Sequence, residues 1–410
     1  MEKRLKVLVS AYACESGKGS EPGMGWNWVM QIARFHDVWV MTRESNKKSI
    51  EKEEISKFVN VHWIYIDLPK KIRFWKKGQR GVYIYYILWQ ICAFFNARKI
   101  HKKVNFDLVH HTTFGNYWLP SFLSFLHIPF VWGPLGGGES TPKPFWKMLD
   151  SRGKIYETFR DIARGLAYLN PLLSFSNCHA DVAIAVTDDT AKKLSKFGYR
   201  NIKIYSGVAL PKEEINKLLE IPSRHNGPFR FVSIGRMLHW KGFNLGLLAF
   251  AGFQKEFPSS EFWLIGNGPE LNNLKLLAEK LEISNNVKFF EELSREEVLS
   301  KIAESNVLVH PSLHDSGGWV CLEAMACGKP VICLDLGGPA VQVTEETGFK
   351  IAAKSPEQAV NDLSNAMIQL AKDFNLNRDM GVAGRKRVKK YFDWDRKGDW
   401  ANKIYQELVV

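Results

Sequence analysis

Short apolar, β-branched runs alternate with stretches of helical period along this chain of 410 residues, and the whole alternation occurs twice. In the first half the runs fall at residues 5–12, 37–41, 61–66, 108–111, 130–132 and 182–186. In the second half they fall at residues 229–234, 261–265, 287–290, 307–310 and 330–334. Strands that are separated by helices pair in parallel, so the pattern predicts an α/β fold with two parallel sheets.

The region between the two halves contains three prolines and has little apolar pattern. We therefore predict a first domain over residues 1–205, a linker over residues 206–228 and a second domain over residues 229–390. Ligands bind outside the carboxyl ends of parallel strands, so the loops that follow the strands are where functional residues are expected.

The net charge of +13 comes from the first half. Residues 1–205 contain 31 of the 56 Lys and Arg residues and 17 of the 43 Asp and Glu residues, a net charge of +14. This excess favours an anionic partner, which could be a membrane surface, a nucleic acid or a phosphorylated acceptor; a solvated basic surface has the same composition. The six cysteines form no CxxC pair and lie in apolar stretches, which is typical of reduced thiols in a cytoplasmic protein.

Glycine-rich loops follow the first strand of each half. In GSEPGMGW, Gly23 and Gly25 allow another backbone to approach closely, just before a helix that is predicted from residue 26. The free amides at the start of a helix favour anions, so the loop could bind an anionic group. A simple tight turn explains the two glycines equally well. In GRMLHWKG, Arg236 and Lys241 can reach one phosphate group across a turn. Another loop places Gly266 and Gly268 where a flat base could lie against the backbone, or where a plain strand–helix turn would need them.

The most specific motif is HDSGGWVCLEAMACG, in which Asp315 and Glu323 are eight residues apart. A helix is predicted to begin near Gly318, and the free amides of Gly318 and Trp319 suit a diphosphate. Glu323 would lie about one and a half turns into that helix, where a carboxylate suits ribose hydroxyls. Its apolar neighbours mean that a carboxylate buried there needs a partner.

These motifs, in this order and spacing, resemble the second half of retaining family-4 glycosyltransferases of the GT-B type, over residues 230–350. The resemblance implies two Rossmann-like domains facing across a cleft, with a UDP- or GDP-sugar donor held mainly by the second domain. By it, Arg236 and Lys241 bind the diphosphate, Gly266 and Gly268 lie at the donor, Glu323 binds the ribose and Asp315 contacts the transferred sugar. The family usually has Glu at position 315, and Glu291 stands where it commonly has Gly.

The first half resembles bacterial surface-polysaccharide members of the same class through SEPGMGWNW, HHTTFGNYWLP and VWGPLGGGE. In that class a His at a strand end touches the donor sugar or the acceptor, and both His110 and His111 are candidates. Side chains alternate along a strand, so only one of the two can face the cleft. By the same resemblance, Glu139 is predicted to be a carboxylate on the acceptor side, and the acceptor to be a lipid-linked or other saccharide.

No cofactor and no metal are expected, because the resemblance implies that cations and helix N-termini stabilise the diphosphate. The triplet Asp393-Trp394-Asp395 matches a metal-binding DxD, but it lies outside any strand–loop context. Residues 391–410 are instead predicted to form a terminal helix that packs back on the first domain.

Basic clusters flank an aromatic, apolar run between Lys70 and Lys103, which is too short to span a bilayer. Such a segment suits an anionic membrane surface, although the apolar run could equally be a buried helix. The predicted function is therefore that of a retaining hexosyltransferase on the inner face of the plasma membrane, acting in cell-surface polysaccharide or lipopolysaccharide assembly.

Two other classes are considered. A nucleotide-sugar 2-epimerase shares the fold, but the Arg236–Lys241 pair and the Asp315–Glu323 spacing argue against it. A basic nucleic-acid-binding protein is disfavoured, because no recognition-module motif is present and the cations lie beside aromatic runs. No nucleic-acid partner is therefore predicted.

Overall fold

A computed structural model describes residues 3–53, 59–69, 71–73, 75–76, 81–171, 173, 179–221 and 227–409. The strands, in chain order, are β1 Lys6–Ser10, β2 Asp37–Arg43, β3 Val61–Ile66, β4 Leu108–His111, β5 Phe130–Leu135, β6 Val182–Ala185, β7 Ile202–Ile204, β8 Arg230–Ile234, β9 Glu261–Ile265, β10 Val287–Phe290, β11 Val307–His310, β12 Val331–Leu334 and β13 Gly348–Ile351. The α-helices are α1 Ser20–Ala33, α2 Lys47–Ile50, α3 Val82–Val104, α4 Ser151–Ala167, α5 Asp188–Lys196, α6 Lys212–Glu220, α7 Phe243–Gln254, α8 Leu271–Lys280, α9 Arg295–Glu304, α10 Trp319–Ala326, α11 Gly337–Gln342, α12 Pro356–Lys372, α13 Phe374–Tyr391 and α14 Trp394–Val409.

The described strands form two parallel sheets. The first has the order β3-β2-β1-β4-β5-β6-β7, and the second has the order β10-β9-β8-β11-β12-β13. In each sheet the chain first adds strands on one side of the first strand and then adds the remaining strands on its other side, as in a doubly wound Rossmann fold. The central strands of both sheets are buried on both faces, which explains why they appear in the sequence as continuous apolar runs.

The chain divides into two compact units. The first unit comprises Met1–Gly138, Ala163–Gly207 and Trp394–Val410, and the second comprises Glu139–Ile162 and Val208–Asp393. This division differs from the predicted boundaries, because Glu139–Ile162 packs with the second unit. Phe145 is the clearest sign, since it is fully buried in the same core as Phe231.

The predicted linker, residues 206–228, is also structured over part of its length. Helix α6 lies within it and buries Ile215 and Leu218 in a core of the second unit. The amide of Leu210 donates to the carbonyl of Phe392 at 2.8 Å, which ties this segment to the end of α13. Residues 222–226 of the predicted linker lie outside the described residues.

The terminal helix α14 belongs to the first unit, where it packs against α1. Trp394 is buried and meets Trp28 edge to face, and Asp395 forms an ion pair with Arg34 at 3.4 Å. Asp395 thus has a structural partner on α1. Within the described part of the chain, none of the helices combines the length and hydropathy that a bilayer-crossing segment needs.

Candidate active site

Three loops of the second unit follow β8, β9 and β11, which are neighbours in the sheet. The connection from β8 runs to β9 on one side, and the connection from β11 runs to β12 on the other side. The carboxyl ends of β8 and β11 are therefore the switch point at which parallel sheets bind ligands. The loops comprise residues 235–242, 266–270 and 311–318. They contain all the predicted donor-binding residues of this unit except Trp319 and Glu323, which lie in α10 directly after the third loop.

Glycines let the first two loops pack backbone to backbone. A Cβ on Gly266, which has φ +129°, would stand 2.2 Å from the carbonyl oxygen of Gly235. A Cβ on Gly268 would stand 2.4 Å from the carbonyl oxygen of Met237. The amide of Met237 donates to the carbonyl of Asn267 at 2.9 Å, so the two loops form one rigid surface. These contacts account for both glycines, and contact with a donor base stays a prediction.

Asp315 is the centre of the third loop. Its Oδ2 accepts from Nζ of Lys241 at 2.5 Å and from Nε2 of His310 at 3.2 Å. Its Oδ1 accepts from the amides of Gly317 and Gly318 at 3.0 and 3.2 Å. Burial would raise the pKa of the Asp315 carboxyl, but Lys241 and His310 outweigh burial and hold this pKa well below its usual range. Asp315 is therefore an ionised carboxylate that joins two loops.

The two predicted diphosphate ligands are placed differently. Lys241 is half-buried and bound to Asp315, whereas Arg236 is exposed. Both lie on the loop that follows β8, so both cations are at the switch point. Lys241 is positioned by its neighbour Gly242, whose φ of +66° and close contact with the carbonyl of Pro311 leave no room for a side chain.

Helix α10 begins at Trp319, with Gly318 as its N-cap in the left-handed conformation. The helix start agrees with the prediction, but the Gly318 amide is already used by Asp315. In this structure the Gly318 amide donates to the carboxylate of Asp315. The prediction was that this amide is free to bind a diphosphate. Trp319 is half-buried at the first helical position.

Glu323 is buried in α10, as its apolar neighbours require, and it has a partner. Its Oε1 accepts from Nη2 of Arg295 at 2.8 Å, and Arg295 also forms an ion pair with Glu214. Burial raises the pKa of Glu323, and the charge of Arg295 opposes this rise. Sequence reasoning predicted that Glu323 needs a partner, but neither Arg295 nor Glu214 could be identified because each comes from another helix.

Glu139 lies in the second unit rather than on the acceptor-side domain to which it was assigned. It is buried, and its Oε2 accepts from Oγ of Ser316 at 2.6 Å. Ser316 is the residue next to Asp315, so this hydrogen bond joins Glu139 to the third loop.

Another buried carboxylate, Glu157 on α4, was not found from the sequence. Its Oε1 accepts from Nε2 of His239 at 3.2 Å and from Nε2 of His314 at 3.0 Å. Burial opposes ionisation, but these hydrogen bonds hold the pKa of Glu157 far below its usual value. The ring of Trp240 stacks on that of His314 with centroids 5.1 Å apart. Because His239 lies two residues from Lys241 and His314 precedes Asp315, Glu157 connects the two loops that hold the candidate site.

His110 and His111, the predicted catalytic residues of the first unit, are both buried. Nε2 of His110 donates to the carbonyl of Gly133 at 2.7 Å, and its Nδ1 lies 2.5 Å from the hydroxyl of Tyr405. Burial lowers the pKa of His110 to about 3. His110 is therefore a buried core residue in this structure and does not face an open site.

His111 is held in the same way. Its Nδ1 lies 2.7 Å from Oγ of Ser121, and its Nε2 donates to the carbonyl of Thr113 at 3.0 Å. Burial lowers the pKa of His111 to about 4, so its ring is neutral at physiological pH. His111 is thus also a core residue in this structure.

Gly23 and Gly25 lie inside α1, which begins at Ser20 and not at residue 26 as predicted. A Cβ on Gly25 would stand 2.0 Å from the carbonyl oxygen of Ala13, and a Cβ on Gly23 would stand 1.8 Å from that of Lys18. Both glycines allow the helix to approach the preceding backbone, and their contact with a donor stays a prediction. Among the described residues no three His, Cys, Asp or Glu side chains are grouped so that they could hold a metal ion.

The segment that carries these loops has known relatives. Residues 212–387 match the family of glycosyl transferases group 1. This match lies within the second unit and includes Arg236, Lys241, Asp315 and Glu323. It supports the predicted relation to family-4 glycosyltransferases for this part of the chain.

Individual proteins agree with that match. A D-inositol 3-phosphate glycosyltransferase of Corynebacterium jeikeium is 29% identical over 249 residues, which cover 56% of this chain and 58% of that protein. A GDP-mannose-dependent monoacylated alpha-(1-6)-phosphatidylinositol monomannoside mannosyltransferase of Corynebacterium glutamicum is 31% identical over 156 residues, which cover 36% of this chain and 39% of the relative. The alignments thus span well under two thirds of both relatives.

The solved structures confirm the fold. A sucrose-phosphate synthase from Thermosynechococcus elongatus is similar with a TM-score of 0.65 over 99% of both chains, at 19% identity. With the two parallel sheets, this similarity confirms the predicted GT-B architecture of two Rossmann-like domains. Chemically, the loops after β8 and β11 offer two cations, a fixed carboxylate and a helix start, a set that suits a ligand carrying phosphates and hydroxyls.

Proposed function

We propose that this chain is a glycosyltransferase that moves a hexose from a nucleotide-diphosphate sugar to a lipid-linked or saccharide acceptor, with retention of configuration. The observation that carries the proposal is the pairing of Lys241 with Asp315 at the switch point of the second sheet. The family match supports it, because it covers the same residues. Cell-surface polysaccharide assembly, including lipopolysaccharide, is the proposed setting.

In this proposal Arg236 and Lys241 bind the donor diphosphate. Departure of the nucleotide leaves negative charge on the β-phosphate, and a half-buried ammonium stabilises that charge more strongly than an exposed one does. Lys241 is held by Asp315 before any donor binds, so little reorganisation is needed. In the same proposal Glu323 binds the ribose and Asp315 contacts the transferred sugar.

The reaction needs no protein nucleophile in this proposal. The leaving phosphate takes the proton of the acceptor hydroxyl on the same face of the sugar, which accounts for retention. His110 and His111 have no part in it, because both rings are buried and hydrogen-bonded within the first unit. Glu139 acts through Ser316 and positions the Asp315 loop.

The nature of the substrates is also proposed. The names of the two relatives describe transfer to an inositol phosphate and to a phosphatidylinositol mannoside, and the second describes GDP-mannose as the donor. These names support a GDP-sugar donor and a phosphorylated or lipid acceptor for this chain, and a UDP-sugar is the alternative donor that the sequence resemblance implies. The basic segment from Lys70 to Lys103 is the proposed contact with an anionic membrane on its cytoplasmic side, although Lys70, Lys77 and Arg80 lie outside the described residues.

Helix α3 supports the membrane part of the proposal. Ile84 and Phe95 are exposed on it, and Lys102 and Lys103 lie in its last turn. The other face of α3 is buried, at Trp89 and Ala93 among others. An apolar stripe flanked by cations suits the surface of an anionic bilayer.

The proposed function is tested by a screen of nucleotides and nucleotide sugars for thermal stabilisation of the protein. We expect one UDP- or GDP-sugar to stabilise it by about 2.7 kcal/mol at a hundredfold excess over Kd, because a ligand of the native state alone shifts the unfolding equilibrium. Transfer to a lipid-linked acceptor is then measured by mass spectrometry with that donor. Release of free sugar and nucleotide with inversion at C2 would instead identify an epimerase, and stabilisation by duplex nucleic acid alone would overturn both.

Independence from metal is a second expected result. Transfer should persist in EDTA, since the proposed diphosphate partners are Arg236 and Lys241 rather than a bound cation. The measurement is the initial rate before and after chelation, with the donor already identified. Complete loss of transfer that Mg²⁺ or Mn²⁺ restores would show that the prediction is wrong.

A further inference from the structure

Helix α4 exposes its apolar residues. The exposed fractions are 56% for Ile155, 69% for Phe159 and 52% for Ile162, all in the part of α4 that belongs to the second unit. These residues are spaced by three or four positions, so they lie in one narrow sector of the helix. The result is a continuous apolar stripe, which we call the α4 stripe.

The opposite face of α4 is polar and buried. Glu157 is 1% exposed and accepts from His239 and His314, as described above. Arg160 donates through Nη2 to the carbonyl of Glu139 at 2.8 Å. Glu157 and Arg160, whose polar side chains would face water on an ordinary surface helix, therefore have protein partners.

This arrangement is the reverse of an ordinary surface helix, which packs its apolar face on the core and exposes its polar face. A continuous patch of large exposed apolar side chains marks a surface that contacts a protein partner, a ligand or a membrane. Because the buried polar contacts fix the rotation of α4, turning the helix to hide Phe159 would break the Glu157 and Arg160 contacts. The α4 stripe is thus a candidate docking surface.

The charges around the stripe indicate what it docks on. Arg152 and Lys154 are exposed at the start of α4, and Lys143 is exposed in the short 3₁₀ helix before it. Between residues 155 and 169 the acidic side chains are the buried Glu157 and Asp161, which forms an ion pair with Lys143 at 2.8 Å. No acidic side chain lies in the stripe itself, and cations mark its N-terminal end.

We propose that α4 is an interfacial helix, whose stripe enters the boundary between headgroups and acyl chains of an anionic bilayer. Its 17 residues span about 25 Å, enough to lie along a bilayer surface. Arg152 and Lys154 contact lipid phosphates at one end. This surface is distinct from the basic segment on α3, and it places the loops of Lys241 and Asp315 beside the lipid-facing helix through Glu157. The docking does not depend on the proposed transfer activity.

The test is sedimentation of the full chain with vesicles of phosphatidylcholine that contain about 30% phosphatidylglycerol. The variant carries Ile155→Ser, Phe159→Ser and Ile162→Ser, which are exposed positions and leave the buried face intact. We expect its partition into vesicles to fall at least about tenfold, and the loss to persist at high salt because the stripe acts through apolar contact. The matched control carries Leu276→Ser and Val382→Ser, which are exposed apolar residues of α8 and α13, and should sediment like the parent.

Other outcomes separate the alternatives. Serine replacement of Lys70, Lys71, Lys76 and Lys77 should remove only salt-sensitive binding, because it acts on the other surface. Equal sedimentation of the α4 variant and the parent would overturn the proposal, as would absence of binding by the parent. A parent that is dimeric in analytical ultracentrifugation without lipid, and an α4 variant that is monomeric, would also overturn it and assign the stripe to a second copy. Unchanged nucleotide stabilisation in the α4 variant keeps this result separate from the donor site.

Discussion

Replacing Lys241 with alanine is expected to lower kcat/KM for the nucleotide-sugar donor at least about tenfold, a loss of about 1.4 kcal/mol of transition-state stabilisation. The reason is twofold. In the proposed reaction the leaving diphosphate would lose a half-buried cation, and Asp315 loses the ammonium that lies 2.5 Å from its Oδ2. The measurement is the initial rate of transfer at low donor concentration, with the donor found in the stabilisation screen.

The matched control is Lys275→Ala in the same unit. Lys275 is exposed and forms an ion pair with Glu291 at 2.7 Å, a surface pair that contributes about 0–1 kcal/mol to stability. Its kcat/KM should stay near that of the parent, whereas Arg236→Ala should fall as Lys241→Ala does. Near-normal kcat/KM in both Arg236→Ala and Lys241→Ala would show that these cations do not bind the diphosphate.

A double-mutant cycle with Asp315→Asn separates the two causes. If Lys241 acted only by holding Asp315, its removal would have no further effect in the Asp315→Asn protein. We expect a further loss, because the ammonium should also contact the donor. An absence of any further loss would reduce Lys241 to a positioning residue.

Eleven of the thirteen described strands could be predicted, because each is recorded locally as a run of apolar residues. The strands β7 and β13 were missed: both are edge strands, and each has residues that are not buried, so neither reads as a continuous apolar run. The glycines of the candidate site were also visible, but their roles were not. Gly266 and Gly268 are needed for contact between two loop backbones, and this contact depends on which strands are neighbours. The sequence shows where the glycines are, but only the packed structure shows which backbone approaches each of them.

The residues that sequence reasoning misplaced depend on distant partners. His110 lies one residue before the end of β4, where a functional histidine could stand, but its ring meets Tyr405, which is 295 positions away. Glu139–Ile162 follows a strand of the first sheet, yet its carboxylates bind Ser316, His239 and His314. No composition signal separates this segment from its neighbours, so its place in the second unit could not be predicted.

Replacing Glu157 with leucine is expected to lower the free energy of unfolding by about 3 kcal/mol, because it leaves buried donors of His239 and His314 without their acceptor. Urea unfolding at neutral pH measures the change. Asp161→Leu on the same helix is the control, since its pair with Lys143 is partly exposed and should cost less than about 1 kcal/mol.

The pH dependence gives the same carboxylate a second signature. The pKa of Glu157 is lower in the folded chain than its unfolded value of about 4.3. Its ionisation therefore stabilises the fold at neutral pH, and that contribution is lost as the pH falls below about 4. The difference in unfolding free energy between the parent and Glu157→Leu should shrink over this range. A difference that stays constant down to the lowest pH at which both fold would mean that the carboxylate is not ionised against His239 and His314. Equal stability at neutral pH would mean that α4 is held to these loops by its other contacts, such as that of Arg160 with Glu139.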